Sequence, residues 1–403
     1  MSTLVEAGTP VEQEYRWTLN FGPQHPATHT TLRLILQIEG ERVVHATPDI
    51  GYLHSGFEKI GEHLNYNQYV TVTDRMNYIS PMANNIAWHH AVETLLGIEV
   101  PKRCQYIRVI LAELARISDH LLCNGAAALD TGAFTAFLYA FNQREALYNI
   151  FETLCGARFT TSYTRVGGLM YDATPKFIEQ VRAFVRDFPK VHSDICRLLN
   201  RNRIFVERTK GIGVLSKEGA TNRSATGPIA RASGVTRDLR KDEPYLSYAD
   251  FDFDIVCSTA GDCFHRYLVR MDEMLESLKI VEQAVENLPA GPVNVPMGER
   301  MILPDKSKVW NTIEGLIAHF EVVMTNRGFQ APKDECYAAI EAPNGELGFY
   351  LVSDGSDIAY RARCRPPSFI HFALFPELIK GHLVSDIVAV LGSLNIIAAE
   401  LDR

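Results

Sequence analysis

The 403-residue sequence predicts an α+β fold in which helices dominate. Three observations predict it. Residues 31–39 alternate like a half-buried strand, a helical apolar period recurs through the middle of the chain, and a second pair of alternating segments lies at 336–342 and 346–352. Hydrophobic residues make up 46% and charged residues 22%, the balance of a folded chain with a large core. No Gly/Ser-rich or Pro-rich stretch divides the sequence. The expected organisation is a tail at 1–13 and a single domain at 14–403. Within it, 14–50 is a β region, 51–330 a mainly helical core and 331–403 a β/α region.

The elements follow in order. Strands are expected at 15–20, 31–39 and 42–46, with a Glu-Gly-Glu turn at 39–41. In the second strand Leu32, Leu34, Leu36 and Ile38 share one face, and Arg33, Gln37 and Glu39 the other. Pro81 precedes a helix at 82–96 that stops before Gly97. Pro101 opens the next, whose apolar residues recur at Ile107, Ile110, Leu111, Leu114, Ile117 and Leu121. A helix at 133–155 ends at Gly156, and Thr174 is the expected N-cap of one running to residue 199.

Residues 201–258 are less regular, and GIGVLS at 211–216 reads as a loop, because no strand–helix context supports a dinucleotide fingerprint. A long helix at 262–288 carries a stripe from Phe264 through Leu268, Met271, Leu275, Leu278, Val281 and Val285 to Leu288, which reads as core. A helix at 308–323 precedes the last strands, and Asp354-Gly355 marks a turn. Residues 360–366 set Arg361, Arg363 and Arg365 on one face of an edge strand.

A formal charge of −8 argues against a general nucleic-acid binder. The eight cysteines are scattered without a C-x-x-C, which suits a reducing compartment and suggests no metal cluster. The first fifteen residues lack the basic and apolar regions of a signal peptide. No apolar run approaches the about 20 residues needed to span a bilayer. The nearest candidates, 132–141 and 387–399, are short or interrupted by Asn395, so membrane contact is expected to be peripheral or through partners. The segment 387–399 is apolar enough to suggest exposed apolar surface on the isolated chain.

The most informative segment is GPQHPATH at 22–29. Its two prolines exclude helix and impose an extended, kinked backbone. Such a loop can hold the imidazoles of His25 and His29 at the end of a sheet. Taken alone, it reads equally well as a turn with incidental histidines.

This segment closely resembles the N-terminal signature of the D-type subunits of bacterial NADH-quinone oxidoreductase, the respiratory complex I, a family related to the large subunit of nickel–iron hydrogenases. GYLHSGFEK at 51–59, DRMNYIS at 74–80, LDTGA at 129–133, GELGFYLVSDG at 345–355 and the terminal Leu401-Asp402-Arg403 match in the same order. The resemblance covers all but the first dozen residues. It implies a hydrogenase large-subunit-like fold with a long-helix core and small terminal sheets.

Hydrogenases carry R-x-C-G-x-C where this chain has Arg75 to Ser80, so Asn77 and Ser80 stand at the two cysteine positions. Their other motif, D-P-C-x-x-C-x-x-H, aligns with the C-terminus, where Ile397 and Glu400 replace the thiolates. These groups cannot substitute for four thiolates around nickel and iron. The resemblance therefore implies a cavity that lost its metal and holds a quinone headgroup.

A quinone gains negative charge on its carbonyl oxygens and then takes protons, so its site needs donors. Tyr78 and His29 match the family's headgroup ligands, and Asp130 matches the carboxylate that pairs with the histidine. Singly, each reads as an ordinary residue: a half-buried tyrosine, a solvated loop histidine, a helix-end aspartate. His25 reads as a structural loop residue, His54 as a cap, and Asp49 and Glu58 as caps or ion-pair partners. Arg75, Arg158 and Arg165 are candidates to face an iron–sulfur cluster held by a partner. Thr160 stands where many relatives carry a histidine thought to titrate with that cluster.

The implied function is that of a hydrophilic-arm component of proton-translocating NADH:quinone oxidoreductase, peripheral on the cytoplasmic side of the bacterial cell membrane. The implied partners are B-, C-, H- and I-like subunits, with quinone as substrate and no bound metal. Two alternatives are a metal-bearing hydrogenase subunit, which the four missing cysteines oppose, and a structural subunit of a ferredoxin-linked complex. Intact His29, Tyr78 and Asp130 oppose the second.

Overall fold

The structure, a computed structural model, describes residues 16–28, 31–295, 302–324 and 327–403. Strands β1 (Arg16–Phe21), β2 (Arg33–Glu39) and β3 (Arg42–Asp49) form an antiparallel sheet in that order. Leu34 and Leu36 of β2 are fully buried, as their alternation predicts. A bulge between Gln37 and Ile38 shifts the β2–β3 register and leaves Ile38 only partly covered.

Short helices α1 (Phe57–Ile60) and α2 (Val70–Met76) lead into α3 (Pro81–Leu96), α4 (Lys102–Asp130) and α5 (Phe134–Cys155). Two-residue strands β4 (Thr164–Arg165) and β5 (Gly168–Leu169) form a small hairpin before α6 (Pro175–Leu199). Thr174 caps α6, accepting from the Phe177 amide at 3.2 Å. The irregular stretch resolves into α7 (Arg203–Thr209), α8 (Lys217–Asn222), α9 (Gly227–Ala232) and α10 (Leu239–Asp242) before the long α11 (Cys263–Glu286). These short helices were not legible because none completes more than two turns of an apolar period.

The helix expected at 308–323 is two helices, α12 (Lys306–Asn311) and α13 (Ile313–Val323). Thr312 is extended between them and its hydroxyl accepts from the Gly315 amide at 3.1 Å, so a capping threonine interrupts the apolar period. Strands β6 (Glu335–Ala342), β7 (Gly345–Val352) and β8 (Arg361–Arg365) form the second antiparallel sheet, with β8 at its edge. Helices α14 (Pro367–Ile379), α15 (Ile387–Leu394) and α16 (Ala398–Asp402) complete the described chain. The architecture is the expected helix-dominated α+β fold.

Helix α4 is the centre, packed by α3, α5, α11 and α15. Its predicted apolar positions, Ile107 to Leu121, are all buried. Met271, Leu278, Val281 and Val285 of α11 face the same core. The apolar segment at 387–394 is buried too, contrary to expectation, because α15 lies between α4 and α14. Exposed apolar surface instead gathers on α12 and α13, where Trp310 is 83% and Ile313 66% exposed, and at Phe134 and Leu138 of α5.

The core also holds charges that periodicity did not reveal. Arg231 binds Glu273 at 2.6 Å and Glu341 at 2.8 Å, while Arg240 binds Asp238 at 2.7 Å and Glu113 at 3.1 Å. Arg116 reaches Glu113 at 3.1 Å, and the Tyr248 hydroxyl donates to Glu113 at 2.7 Å. All of these side chains are out of solvent. Burial opposes ionisation of Glu113, but Arg116 and Arg240 hold it down to about 2. The network joins α4, α9, α10, α11 and β6, and each charge is tolerated only because its partners are present.

Candidate functional site

Tyr78 lies in the four-residue link between α2 and α3. The helix α2 ends at Met76, and Pro81 opens α3 with its ring at the first turn, where no amide is needed. Asn77 shapes the link: its side-chain oxygen accepts from the amides of Ile79 and Ser80 at 3.2 and 3.3 Å. Tyr78 is half-buried and packs against Phe159, with ring centroids 5.9 Å apart. Burial pushes its phenol above the ordinary value. The hydroxyl makes no hydrogen bond to a described residue.

The segment that carries Phe159 is tied to α2. Buried Asp74 accepts from the Ser162 hydroxyl and from the Asn85 amide, the latter at 2.8 Å. The aromatic wall of Tyr78 is therefore anchored to the helix that ends just before it.

The Gly-Pro turn of the N-terminal segment is sterically specified. Gly22 has φ +90, and a Cβ there would meet the Leu32 carbonyl at 2.1 Å. His25 is structural, as expected. Its Nδ1 accepts from the Ala27 amide at 3.1 Å, and its ring packs at a tilt against Phe21, with centroids 4.2 Å apart. His29 lies outside the described residues. The turn Pro26–Thr28 just before it packs on α15, which packs on α4 through Gly392 against Ala127.

Asp130 is the exposed last residue of α4, one turn after Ala127. The chain then reverses, with the Thr131 hydroxyl donating to the Ala127 carbonyl at 2.8 Å and Gly132 at φ +93. No hydrogen bond joins Asp130 to Tyr78.

Asn77 and Glu400, two of the positions that the resemblance set against hydrogenase cysteines, are far apart in sequence and meet in the fold. Helix α16 packs on α2. The buried Glu400 carboxyl meets the Asn77 side chain and accepts from the Ser368 amide at 3.2 Å. The Ile397 amide donates to the Ser368 hydroxyl at 3.3 Å, and the Ser80 hydroxyl is buried without a partner. Burial pushes Glu400 up to about 8 against the bond from Ser368, and neighbouring Asp119 adds to the rise. Asp119 is itself pushed up to about 6 by burial, opposed by its bond from Asn395. Among the described residues no group of histidines, cysteines and carboxylates is arranged to hold a metal.

The motif at 51–59 packs against the C-terminus. Asp402 accepts from the amides of Gly51 and Leu53 at 2.9 and 2.8 Å, and His54 Nδ1 meets the Asp402 carbonyl at 2.9 Å. His54 is therefore not the cap of α1, whose N-cap is Gly56. Asp49 and Glu58 are ion-pair partners, of Arg33 at 3.1 Å and of Arg361 at 3.1 Å. Arg75 donates to the Thr71 carbonyl at 2.5 Å, Arg158 pairs with Glu152 at 3.2 Å, and Arg165 donates to the Ser162 carbonyl at 2.6 Å. A cavity of about 270 Å³ lies beside Arg165, Met170 and Phe329, at the opposite end of α2 from Tyr78.

Sequence reasoning missed Asp119 and Asp402. Asp119 gives a weak signal, a carboxylate inside an apolar helix. Asp402 sits in a matched motif, but its partners are distant in sequence.

Residues 130–403 match the family described as the respiratory-chain NADH dehydrogenase, 49 Kd subunit. The chain is 49% identical over 389 residues to the D-type subunit of NADH-quinone oxidoreductase from Methylacidiphilum infernorum, covering 96% of this chain and 92% of the relative. It is 49% identical over 405 residues to the D 1 subunit of the same enzyme from Opitutus terrae, covering 100% and 95%. The D 2 subunit from Cytophaga hutchinsonii is 48% identical over 394 residues, covering 97% and 100%. The chain thus belongs to the 49 Kd, D-type family of NADH-quinone oxidoreductase subunits, and is one component of that multi-subunit enzyme.

Proposed function

We propose that this chain forms one wall of the quinone headgroup site, with Tyr78 and His29 as the two donors and Asp130 as the partner of His29. The observation that carries the reading is Tyr78 itself. Its phenol is half-buried, unpaired among the described residues, and held on a link fixed by Asn77 beside the positions that hydrogenases fill with cysteine. In this reading the Tyr78 hydroxyl donates to one quinone carbonyl. A protonated His29 donates to the other, while the Asp130 carboxylate orients its ring and stabilises its charged form. Two electrons from a partner's iron–sulfur cluster and two protons convert quinone to quinol.

The cluster belongs to a B-like subunit, and Arg75, Arg158 and Arg165 are the cations proposed to face it. The quinone tail enters through an H-like membrane subunit, and C- and I-like subunits complete the arm. No helix among the described residues is long and apolar enough to cross a membrane. We assign the chain to the cytoplasmic face, held by its partners, with quinone reduction driving proton translocation elsewhere in the complex.

The test compares quinone and ferricyanide reduction by NADH in membranes carrying Tyr78→Phe. That variant keeps the ring and removes one donor, which should raise the barrier by about 2–4 kcal/mol, as for donors to a developing oxyanion. Ferricyanide reduction should persist, because electrons leave upstream. Full quinone reduction by the variant would remove Tyr78 from the site.

A further inference from the structure

We infer that α16 is a strap that positions the quinone wall, with Glu400 holding the Tyr78 link through Asn77 and Asp402 holding the loop at 51–53. The inference rests on the assignment of Tyr78 to the headgroup site. It gives a role to the carboxylate that stands at a thiolate position, which the proposed chemistry leaves unused.

The strap has two attachments on its five residues and a third just beyond them. Glu400 accepts from the Ser368 amide at 3.2 Å and meets the Asn77 side chain. The Asn77 oxygen is already engaged by the amides of Ile79 and Ser80, so its amide group is the donor left for Glu400. Displacing Glu400 therefore loosens the residue whose oxygen holds the two amides that follow Tyr78. Two residues on, Asp402 accepts from two backbone amides at 2.9 and 2.8 Å. Arg403 adds a contact to Glu58 at 3.4 Å and lies over the Phe369 ring at 4.5 Å. Leu401 buries the apolar side of the helix, and Ile397 just before it is buried too.

A helix of five residues has little stability of its own. Its position is set by these contacts, and it passes that position to two loops that are distant in sequence. Glu400 and Asp402 are positioning residues: each acts through another group.

The experiment measures KM and kcat for a short-tailed quinone in membranes holding the whole complex, with ferricyanide reduction as the assembly control. Glu400→Ala should raise KM about tenfold, the scale of a small misplacement of a binding group, and leave ferricyanide reduction unchanged. Glu400→Gln keeps an acceptor for Ser368 and a partner for Asn77, and should recover to within about twofold. Asn77→Ser, which keeps an acceptor for the Ile79 and Ser80 amides and removes the partner of Glu400, should reproduce the Glu400→Ala effect, and the double variant should be no worse than either single one.

An unchanged KM in Glu400→Ala, a Glu400→Gln variant as impaired as Glu400→Ala, or additive losses would each overturn the inference. If Glu400→Ala fails to assemble, Asn77→Ser decides, because its shorter hydroxyl can still accept from the following amides but does not reach Glu400. Tyr78→Phe separates the two readings. A normal Tyr78→Phe enzyme removes the headgroup assignment, whereas an impaired one beside a normal Asn77→Ser removes only the strap.

Discussion

Glu93 of α3 and Arg108 of α4 form a two-pronged ion pair, with both N–H···O contacts at 2.7 Å and neither side chain reaching solvent. Their remaining capacity holds the β4–β5 hairpin. Glu93 accepts from the Gly167 amide at 2.8 Å, and Arg108 donates to the carbonyls of Arg165 and Gly168 at 2.9 and 3.0 Å. The pair thus joins two core helices to the loop that presents Arg165.

Removing one member should be severe. Glu93→Ala leaves a buried guanidinium unpaired, and the expected loss is about 3–5 kcal/mol. Denaturant unfolding of the purified chain measures it directly. A loss below about 1 kcal/mol, the scale of a surface pair, would show that water replaces the missing carboxylate.

His29→Ala and Asp130→Asn should each depress quinone reduction and spare ferricyanide reduction. If Asp130 works only by orienting and charging His29, the double variant should match His29→Ala. Losses that multiply would assign the two residues to separate steps.

Stability should pass through a maximum near neutral pH. Burial pushes His371 down to about 3, reinforced by Arg365, Arg270 and Arg266, and burial pushes His120 down to about 4 against its bond to Glu273. Below about 6.5 the unfolded chain takes up protons that these folded histidines refuse, so stability falls with acidification. Glu400 acts in the opposite sense. With its folded value at about 8, it holds a proton that the unfolded chain has lost above about 4.5, so stability falls as pH rises from there to about 8. Melting temperature against pH should lose part of its acid limb in His371→Gln and part of its alkaline limb in Glu400→Gln. Unaltered limbs would show that these groups are hydrated in solution.

The exposed stripe of Trp310, Ile313, Ile317 and Phe320 should make the isolated chain self-associate. Replacing Ile313 and Ile317 with lysine should shift it toward monomer in light scattering, and should lower its incorporation into the complex. Equal incorporation would place the partner surface elsewhere.

Whatever depends on short-range pattern was readable from the chain alone. The stripe of α4 from Ile107 to Leu121, the Thr174 cap, the turn at Gly22 and the absence of cysteine at 77, 80, 397 and 400 are each legible within a few residues. Periodicity, capping and motif chemistry act over one or two turns of chain. The family, and with it the helix-dominated fold, followed from such local motifs in order.

The remaining features waited on packing. Residues 387–394 are buried rather than exposed, because that segment lies between α4 and α14. Glu400 comes to Asn77, and Asp402 to Gly51, from opposite ends of the chain. Arg231 sits between Glu273 and Glu341, three residues that no local pattern relates. A charge on a helix reads as surface until its neighbours are known. Whether it is solvated, paired or protonated depends on which elements remove its water, and that is settled only when the helices pack.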